Sequence, residues 1–553
     1  MMADKRKTRK HFTRRDFLAG NAAAISAGAL TASAPTAFGI PSVAQERAAN
    51  KPWLPAKWDF EADVVIAGTG FAGQSAAIAA HDAGAKVMVL EKATKELAGG
   101  NSCCSVGGNS VWDDPKECYT DLRHAGCDVP EELVQTMVEA LAMGGKQSVL
   151  DWLKKLGIEM KAGGKNTKKT WFIANAKTGG SNGHHLYQAI QAQVEARGIK
   201  IMYETPAKEL VQDPVTKEIL GVAAYEGAKG FGGEGGKKVY VKAKKGVILA
   251  CGGYEGNLKM WSYFNYPSME VFSGGTPYNT GDGILMACEV GAPLWHMVLK
   301  EWEAGCCAPA SREFGCAIEC SLQKGHIYVN RAGERFMNET ISFTHRRPNI
   351  EPCDFKSGVD VRPGLWHGMG GYPNMPYFLV CDDDYRKKGP FVSPLRPNMD
   401  TKFAHIKKLY NWSQDNSDEI AKGWIKQADN IAELASKLKI NAEGLQRTIE
   451  QVNEASKTKK DPLFGNAAVL PIATPPFYGM ELALSVINTM GGPQHNGKGQ
   501  TLNKEGKPIP RLYSVGELGS FFSLCYTGGT NIPEAHSFGR IAGEHAASLK
   551  PWG

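Results

Sequence analysis

The residues best suited to carry chemistry are three glycines, Gly68, Gly70 and Gly73, which are spaced as Gly-x-Gly-x-x-Gly. Glycines at this spacing allow a tight turn that approaches a pyrophosphate, whose charge faces the N-terminus of the following helix. Glu91 lies 23 residues after Gly68. A carboxylate there accepts hydrogen bonds from ribose hydroxyls, which favours a cofactor without a 2′-phosphate. The pattern predicts a dinucleotide site, and by itself it leaves NAD and FAD equally open.

The elements around this turn are those that such a site needs. Residues 63–67 form an apolar run typical of a short buried strand, and residues 74–80 open a helix that ends near Gly84. A second apolar run at 86–90 ends at Glu91. Strand, turn, helix and strand predict a βαβ unit of about thirty residues. The alternative is a plain βαβ turn with a surface glutamate.

Length and charge set the class of protein. The chain has 553 residues, of which 42% are hydrophobic and 22% are charged, an ordinary globular composition. This length exceeds one typical core, so two or more domains are expected. Part of the net charge of +7 lies in the first fifteen residues, so the charge does not indicate a nucleic-acid partner.

The N-terminus has the pattern of an export signal. The pair Arg14-Arg15 precedes Phe17-Leu18 and a weakly apolar, small-residue stretch that ends near Ala34. We expect residues 1–45 to be a twin-arginine signal, which directs the protein to the periplasm or the outer face of the cell membrane. The apolar stretch is too short for a stable membrane span. The alternative is a disordered basic tail.

The thirteen cysteines argue against a disulfide framework, because their number is odd and two pairs are adjacent. There is no Cys-x-x-Cys-His motif for a c-type haem. Four thiols close in sequence could hold an iron–sulfur cluster, although their spacing matches none of the common ferredoxin patterns. They are Cys306, Cys307, Cys316 and Cys320. Buried free cysteines are the alternative.

Several segments distinguish FAD from NAD by resemblance to a known family. Gly99-Gly100-Asn101-Ser102 shortly after Glu91-Lys92, the glycine pair Gly252-Gly253, the segments at 280–284 and 508–517, and Phe538-Gly539-Arg540 resemble the fumarate reductase/flavocytochrome c flavoproteins. That family includes 3-ketosteroid dehydrogenases and urocanate reductases. The matching segments span roughly residues 60–547. The resemblance implies FAD as cofactor.

The resemblance also implies a fold. It is an α/β fold in which a Rossmann-like FAD-binding domain is interrupted by an α+β capping domain, with the active site between them. We expect the first part of the FAD-binding domain at 60–272, the capping domain at 273–400 and the second part at 401–553. Glu517 is expected on the ribityl or ribose side of the flavin, and residues 99–102 beside the isoalloxazine. The residues predicted to bind FAD are Gly68, Gly70, Phe71, Ala72, Gly73, Glu91, Lys92, Gly100, Asn101, Ser102, Gly107, Gly108, Gly252, Asp282, Glu517 and Thr530.

The substrate half departs from the pattern of the dicarboxylate reducers in this family. Those enzymes hold two carboxylates with two histidines and two arginines, one of which also donates a proton. In this chain the first histidine position falls near Glu303. The other three positions are occupied by Phe343, Asn488 and Tyr526. Cations are what two carboxylates need, so the sequence argues against a fumarate clamp.

Tyr526 begins the segment Tyr526-Thr527-Gly528-Gly529, which resembles the Tyr-x-Gly motif of 3-ketosteroid dehydrogenases. In those enzymes a tyrosine hydroxyl and a backbone N–H hold the substrate carbonyl. The match is partial, because Phe343 stands where they have a catalytic tyrosine. His345 and Arg346 follow closely and are candidate proton donors, or else a surface histidine and a solvated charge. Glu303 is a candidate proton-relay carboxylate or a salt-bridge partner.

The inserted region is rich in large apolar residues, which would suit a bulky apolar enone or aryl-alkene. They could equally form the core of the capping domain. They are Trp295, Met297, Trp302, Phe314, Trp366, Tyr372, Met375, Tyr377 and Phe378.

Together these features predict an exported FAD-dependent reductase of an activated C=C bond in a substrate that is not a dicarboxylate. Flavin N5 would deliver the hydride, and protein groups would polarise the acceptor and supply a proton. Because no haem attaches to this chain, electrons would come from a separate membrane-bound or cytochrome donor. The alternatives are a 3-ketosteroid-type dehydrogenase that runs in the oxidative direction, a fumarate-like acid reductase, and a non-catalytic flavin redox carrier.

Overall fold

The predicted βαβ unit is present in the computed structural model. The model describes residues 53–105, 107–165, 168–174, 182–264, 271–310, 324–339, 374, 376–392, 410, 412–466, 468–523, 526 and 528–552, without the side chains of 182, 271–273, 302–307 and 484–485. All of these residues lie in one compact unit, Pro52–Gly553. The predicted signal at 1–45 lies outside the described residues.

The strands and helices are numbered in chain order. The strands are β1 (Phe60–Ala67), β2 (Val87–Leu90), β3 (Asn109–Trp112), β4 (Met160–Lys165), β5 (Lys169–Ala174), β6 (Lys200–Met202), β7 (Ala207–Gln212), β8 (Ile219–Glu226), β9 (Lys237–Leu249), β10 (Val271–Ser273), β11 (Leu294–Trp295), β12 (Lys300–Cys307), β13 (His326–Val329), β14 (Tyr377–Cys381), β15 (Ile425–Ala428), β16 (Phe477–Thr489), β17 (Gly492–Pro493), β18 (Gln500–Leu502) and β19 (Pro508–Ser514). The helices are α1 (Phe71–Asp82), α2 (Gly100–Cys104), α3 (Pro115–Ala125), α4 (Glu131–Leu141), α5 (Val149–Lys155), α6 (Asn182–Ala196), α7 (Leu258–Phe264), α8 (Asp282–Glu289), α9 (Asp383–Arg386), α10 (Ser417–Ala421), α11 (Ile431–Leu438), α12 (Ala442–Thr458) and α13 (Asn531–Ser548).

The main sheet has the strand order β18-β19-β9-β1-β2-β6, and β7 and β8 extend it from β9. The strands β19, β9, β1, β2 and β6 run parallel. Side chains of β1 alternate between two buried clusters: Val64 and Ile66 belong to one and Val65 and Ala67 to the other. A parallel sheet that is buried on both faces requires this continuous apolar run.

The helices α1 and α13 pack closely through small residues. A Cβ atom on Gly539 would lie 2.4 Å from the carbonyl oxygen of Ala72, and one on Gly543 would lie 2.4 Å from that of Ala76. Only glycine allows the two backbones to approach this closely. The last helix of the chain therefore covers the first helix of the βαβ unit.

A second, six-stranded sheet is centred on β16, which pairs with β10, β12, β14 and β15, while β14 pairs with β13. Leu434 and Leu445 on the helices α11 and α12 belong to the same buried cluster as Phe378 on β14. The predicted domain boundary at residue 401 does not coincide with the limit of this second sheet. Both β15 and β16 lie after residue 401 and belong to the sheet. Helical periodicity after residue 401 reveals an amphipathic face but not the sheet against which that face packs.

A small antiparallel sheet, in the order β3-β5-β4, completes the parts that shape the site. Ser110 on β3 donates its backbone N–H to the carbonyl oxygen of Gly529 at 2.8 Å, which ties this sheet to the loop before α13. Within the described part of the chain, no helix combines the length and the apolar character that crossing a membrane requires.

Candidate functional site

A cavity of about 470 Å³ opens at the carboxyl ends of four parallel strands of the main sheet. Ala67, Leu90, Ala250 and Val515, which end or directly follow β1, β2, β9 and β19, contribute to its wall. Ligands of open α/β sheets bind at this edge, because the loops there diverge and helix N-termini point into the gap.

The glycine turn forms one wall of the cavity, and its geometry requires glycine. Gly68 has a φ of +106°, and a Cβ atom on it would lie 2.3 Å from the carbonyl oxygen of Ala250. A Cβ atom on Gly73 would lie 2.0 Å from the carbonyl oxygen of Gly68. A Cβ atom on Gly70 would lie 3.2 Å from Ser102 Oγ, and the Ser102 hydroxyl accepts the backbone N–H of Phe71 at 2.9 Å. The turn thus leaves a cradle beside the start of α1, which fits the pyrophosphate of a dinucleotide.

Glu91 joins the turn to the second strand. Its Oε2 accepts the backbone N–H of Thr69 at 3.0 Å and also the Thr69 hydroxyl, and its Oε1 accepts the backbone N–H of Ala93 at 2.8 Å. The side chain lines the cavity. Each carboxylate oxygen has more than one acceptor site, so Glu91 can hold the turn and still accept ribose hydroxyls.

Lys92 lies in the wall with its charge paired. Its Nζ donates to Asp282 Oδ2 at 2.8 Å, and Lys208 Nζ donates to Asp282 Oδ1 at 2.9 Å. Among the described residues that line the cavity, Lys92 is the only lysine, arginine or histidine. This part of the wall therefore offers no clamp for two carboxylates.

Asn101 and Glu517 belong to a buried polar cluster in the cavity wall. The Asn101 Nδ2 donates to Glu517 Oε1 at 3.1 Å and to Glu255 Oε1 at 2.7 Å. Burial, and then the charge of Glu255, raises the pKa of Glu517 well above its usual range. Burial likewise raises the pKa of Glu255.

The structure brings most of the predicted cofactor residues together. Those that line the cavity are Gly68, Gly70, Phe71, Ala72, Glu91, Lys92, Gly100, Asn101, Ser102, Gly108, Gly252, Asp282 and Glu517. Gly73 lies behind the turn, and Gly107 donates its backbone N–H to Ser105 Oγ at 3.2 Å. Thr530 donates its backbone N–H to Tyr526 Oη at 3.3 Å.

Tyr526 lines the same cavity from the loop before α13. Its hydroxyl oxygen accepts the backbone N–H groups of Gly529 at 2.8 Å and of Thr530 at 3.3 Å. Burial, and then the charge of Glu301, raises the pKa of Tyr526 above its usual range. The hydroxyl therefore stays protonated at neutral pH and can act as a donor.

Glu301 is a residue in this wall that the sequence analysis missed. It is 6% exposed and lines the cavity. It lies opposite Asn488 in the pairing of β12 with β16. Glu303, the candidate proton-relay residue predicted from the sequence, lies on the same strand opposite Ser485. Its side chain is outside the described part of the structure. A register shift between Glu301 and Trp302 interrupts the alternation from which the facing residue could have been predicted.

The side-chain amide of Asn488 lies in the buried polar cluster of Asn101 and Glu517. One of its two polar atoms has a hydrogen-bond partner there, and the other has none among the described residues. Its side chain hydrogen-bonds to Glu517, while its Oδ1 is buried without a partner among the described residues. A buried amide oxygen without a hydrogen-bond partner destabilises the protein. A hydrogen-bond donor on a bound molecule would supply that partner. The sequence identifies this position only as one where a histidine of the dicarboxylate clamp is missing.

Trp171, on β5, also lines the cavity and was missed by the sequence analysis. It is 37% exposed. A lone tryptophan in a short strand of mixed composition, Lys169–Ala174, carries no sequence signal that distinguishes a cavity wall from a surface.

None of the large apolar residues of the inserted region whose side chains the structure describes lines the cavity. Tyr377 and Phe378 are 0% and 2% exposed, Met297 is buried, and Trp295 Nε1 donates to the carbonyl oxygen of Gly519 at 3.2 Å. Tyr377, Phe378 and Met297 are therefore core residues, whereas Trp295 is half-buried. Outside the described residues lie the side chain of Trp302, and Phe314, Trp366, Tyr372 and Met375.

Two candidate catalytic residues, His345 and Arg346, lie outside the described residues, as do Cys316, Cys320 and the side chains of Cys306 and Cys307. The iron–sulfur hypothesis therefore has no support from the structure. In the described ranges, no group of three or more histidines, cysteines, aspartates or glutamates could hold a metal ion.

Comparison with known proteins agrees with this geometry. A family model described as FAD binding domain matches residues 63–532. The chain is 28% identical to a fumarate reductase (cytochrome) of Shewanella frigidimarina, over 92% of this chain and 81% of the relative. It is 27% identical to the urocanate reductase of Eggerthella lenta, over 91% of this chain and 78% of the relative.

A solved structure shares the fold. It is the 3-ketosteroid delta1-dehydrogenase of Sterolibacterium denitrificans in complex with 1,4-androstadiene-3,17-dione, with a TM-score of 0.69 and 20% identity, and the match covers 88% of this chain and 99% of that one. The predicted Rossmann-like domain with a capping domain is confirmed. The chain belongs to the FAD binding domain family and is an FAD-dependent oxidoreductase that acts on CH–CH groups.

Proposed function

We propose that the chain reduces an activated C=C bond in a substrate that is not a dicarboxylate, such as an enone or a ketosteroid. The observation that carries this proposal is the Tyr526 hydroxyl, set into a cavity whose described lining has Lys92 as its only cation, already paired with Asp282. A neutral carbonyl needs one good donor, whereas two carboxylates need several cations.

The proposal assigns the cavity wall to FAD. The glycine turn from Gly68 to Gly73 and the N-terminus of α1 receive the pyrophosphate, Glu91 receives the ribose hydroxyls, and Glu517 with Asn101 lies on the ribityl side. When bound, FAD supplies the hydride at its N5. The protein's part is to hold the substrate, polarise it and exclude water.

Tyr526 holds the carbonyl oxygen of the substrate. Its own oxygen accepts two backbone N–H groups, and this polarises the O–H bond and strengthens its donation. Hydride addition at the β-carbon pushes negative charge onto the carbonyl oxygen, where the hydroxyl stabilises it. The same hydrogen bond stabilises the enolate in the reverse reaction, so the site also suits a 3-ketosteroid-type dehydrogenase that runs in the oxidative direction.

A proton must also reach the α-carbon in the reductive direction. His345, Arg346 and Glu303 remain the proposed donors from the sequence. We add Glu301, because it lies in the cavity wall and its charge acts on Tyr526. We also propose twin-arginine export and a separate electron donor outside this chain; an iron–sulfur cluster is not part of the proposal.

The test uses holoenzyme reduced with dithionite in the absence of oxygen, followed by separate additions of fumarate, a 3-ketosteroid and simple enones. Recovery of oxidised flavin absorbance with an enone or the ketosteroid, and none with fumarate, supports the proposal. Recovery with fumarate alone would show an acid reductase. Failure of every acceptor, with the Tyr526→Phe variant behaving identically, would indicate a redox carrier.

A further inference from the structure

Trp171 stands out among the residues of the cavity because its ring is large, apolar and not buried in the core. It is 37% exposed while it lines the cavity, and the adjacent strand β3 carries the buried Val111 and Trp112. An aromatic side chain that lines a ligand cavity offers an apolar face to the molecule bound there.

Two glycines provide the space for this ring. A Cβ atom on Gly108 would lie 1.4 Å from Trp171 Nε1, and a Cβ atom on Gly529 would lie 3.3 Å from the same nitrogen. The nitrogen edge of the indole therefore lies against both backbones. Gly529 is also the residue whose backbone N–H is bonded to the Tyr526 hydroxyl at 2.8 Å, so Trp171 and Tyr526 share a neighbour.

The position of the indole relative to Tyr526 is fixed by the small sheet. Trp171 pairs with Ser110 on β3, and the Ser110 hydroxyl donates to the carbonyl oxygen of Gly528 at 3.0 Å. Lys169, on the same strand as Trp171, donates its Nζ to that carbonyl oxygen at 3.0 Å. The strand that carries Trp171 is thus tied to the loop that carries Tyr526.

We propose that Trp171 is a substrate-positioning and specificity-determining residue, whose ring packs on a flat conjugated ring of the substrate. This inference rests on the proposed function and narrows it to uncharged, planar, ring-conjugated carbonyl compounds such as aryl enones. A flat ring gains most from a flat apolar surface, because offset stacking brings the largest number of atoms into contact.

The experiment separates binding from turnover. Oxidised holoenzyme is titrated with 4-phenylbut-3-en-2-one, which is flat, and with 4-cyclohexylbut-3-en-2-one, whose ring is not; the shift of the flavin absorbance gives Kd. Wild type is expected to bind the phenyl compound about tenfold more tightly. Trp171→Leu should lose this preference. Trp171→Phe should keep the preference for the phenyl compound, because the phenylalanine ring is also flat and aromatic.

Trp58→Phe is the matched control. Trp58 packs against Trp552 with ring centroids 6.2 Å apart and does not line the cavity, so its replacement should leave both Kd values unchanged. Retention of bound FAD is measured in every variant.

The outcomes distinguish this inference from the proposed function. If wild type binds both compounds equally, or if Trp171→Leu keeps the phenyl preference, Trp171 does not select the substrate. If the Trp171 variants lose only FAD, the indole contacts the cofactor and the inference is wrong. If the phenyl preference is present and depends on Trp171 but reduced enzyme transfers no electrons to either compound, the inference stands and the proposed reaction fails.

Discussion

Glu255 and Glu517 lie together at the edge of the cavity because two amide groups bridge them. The Asn101 Nδ2 is 2.7 Å from Glu255 Oε1 and 3.1 Å from Glu517 Oε1, and the Asn279 Nδ2 is 2.7 Å from Glu255 Oε1 and 3.1 Å from Glu517 Oε2. Two buried carboxylates this close cannot both ionise near neutral pH, because each disfavours the charge of the other. The pair therefore titrates as a unit.

Glu255→Gln should flatten the dependence of stability on pH. The folded pKa values of Glu255 and Glu517 are raised above 4.5, so the native protein keeps protons that the unfolded chain releases. Stability then falls as pH rises above about 4.5, by at most about 1.4 kcal/mol per pH unit for one proton. The variant removes one carboxylate and lowers the pKa of the other.

The measurement is the Tm of holoenzyme between pH 5 and pH 9. Glu433→Gln serves as the control, since this carboxylate is exposed and paired with Lys437. Parallel curves for wild type and Glu255→Gln would contradict the coupling of the two carboxylates.

Gly73→Ala should abolish FAD binding and destabilise the fold. Its Cβ would lie 2.0 Å from the carbonyl oxygen of Gly68, so either α1 or the turn must move, at a cost of about 3 kcal/mol. Retained flavin and urea unfolding measure the two effects. Gly164→Ala is the matched control, because its Cβ would meet nothing within 4 Å and both properties should be unchanged. If Gly73→Ala retains both its flavin and its stability to urea, the turn has a conformation other than the one described.

Tyr526→Phe should lower turnover about 10²–10³-fold while FAD remains bound. It also leaves the N–H groups of Gly529 and Thr530 without their acceptor, which costs about 1–3 kcal/mol of stability. Tyr513→Phe is a suitable comparison, because it loses a hydrogen bond of 2.7 Å to His545 in the core without touching the cavity. Equal turnover in Tyr526→Phe and Tyr513→Phe would show that the Tyr526 hydroxyl takes no part in the reaction.

His536 should make the protein sensitive to acid. Its ring is buried against Phe71 and bonded to Ser75 Oγ at 2.9 Å, and burial, with the charge of Arg540, lowers its pKa from 6.5 to about 3. Below pH 6.5 the unfolded chain takes up a proton that the native state refuses. Stability is therefore lost as pH falls toward about 3, by up to about 1.4 kcal/mol per pH unit.

His536→Gln should remove this loss, as measured by urea unfolding at pH 7, 6 and 5. His81→Gln is the control, because His81 is partly exposed on the surface beside Asp82. If the free energy of unfolding of His536→Gln depends on pH as in wild type, His536 is already charged in the native state.

The cofactor half of the site could be predicted because its signals are local. The glycine turn, α1 and Glu91 lie within one short stretch, and the backbone contacts of Gly68 and Gly73 follow from steric limits that spacing alone reveals. The distant Glu517 could be placed only by resemblance to a family.

The substrate half could not be predicted in the same way. That Glu301 lines the cavity could not be predicted from alternation, because a register shift after Glu301 interrupts the pairing of β12 with β16. The role of Trp171 depends on two glycines, Gly108 and Gly529, that lie far apart in the chain. Long-range contacts of this kind arise from packing rather than from periodicity.

The packing of α13 on α1 has a consequence for how the protein is made. Gly539 and Gly543 rest on the backbone of Ala72 and Ala76, and the Tyr526 loop that closes the cavity leads into the same helix. The helix that begins beside the glycine turn thus lacks its cover until α13 has been synthesised and has left the ribosome. Stable flavin binding therefore requires α13, and a nascent chain stalled before Asn531 should emerge colourless.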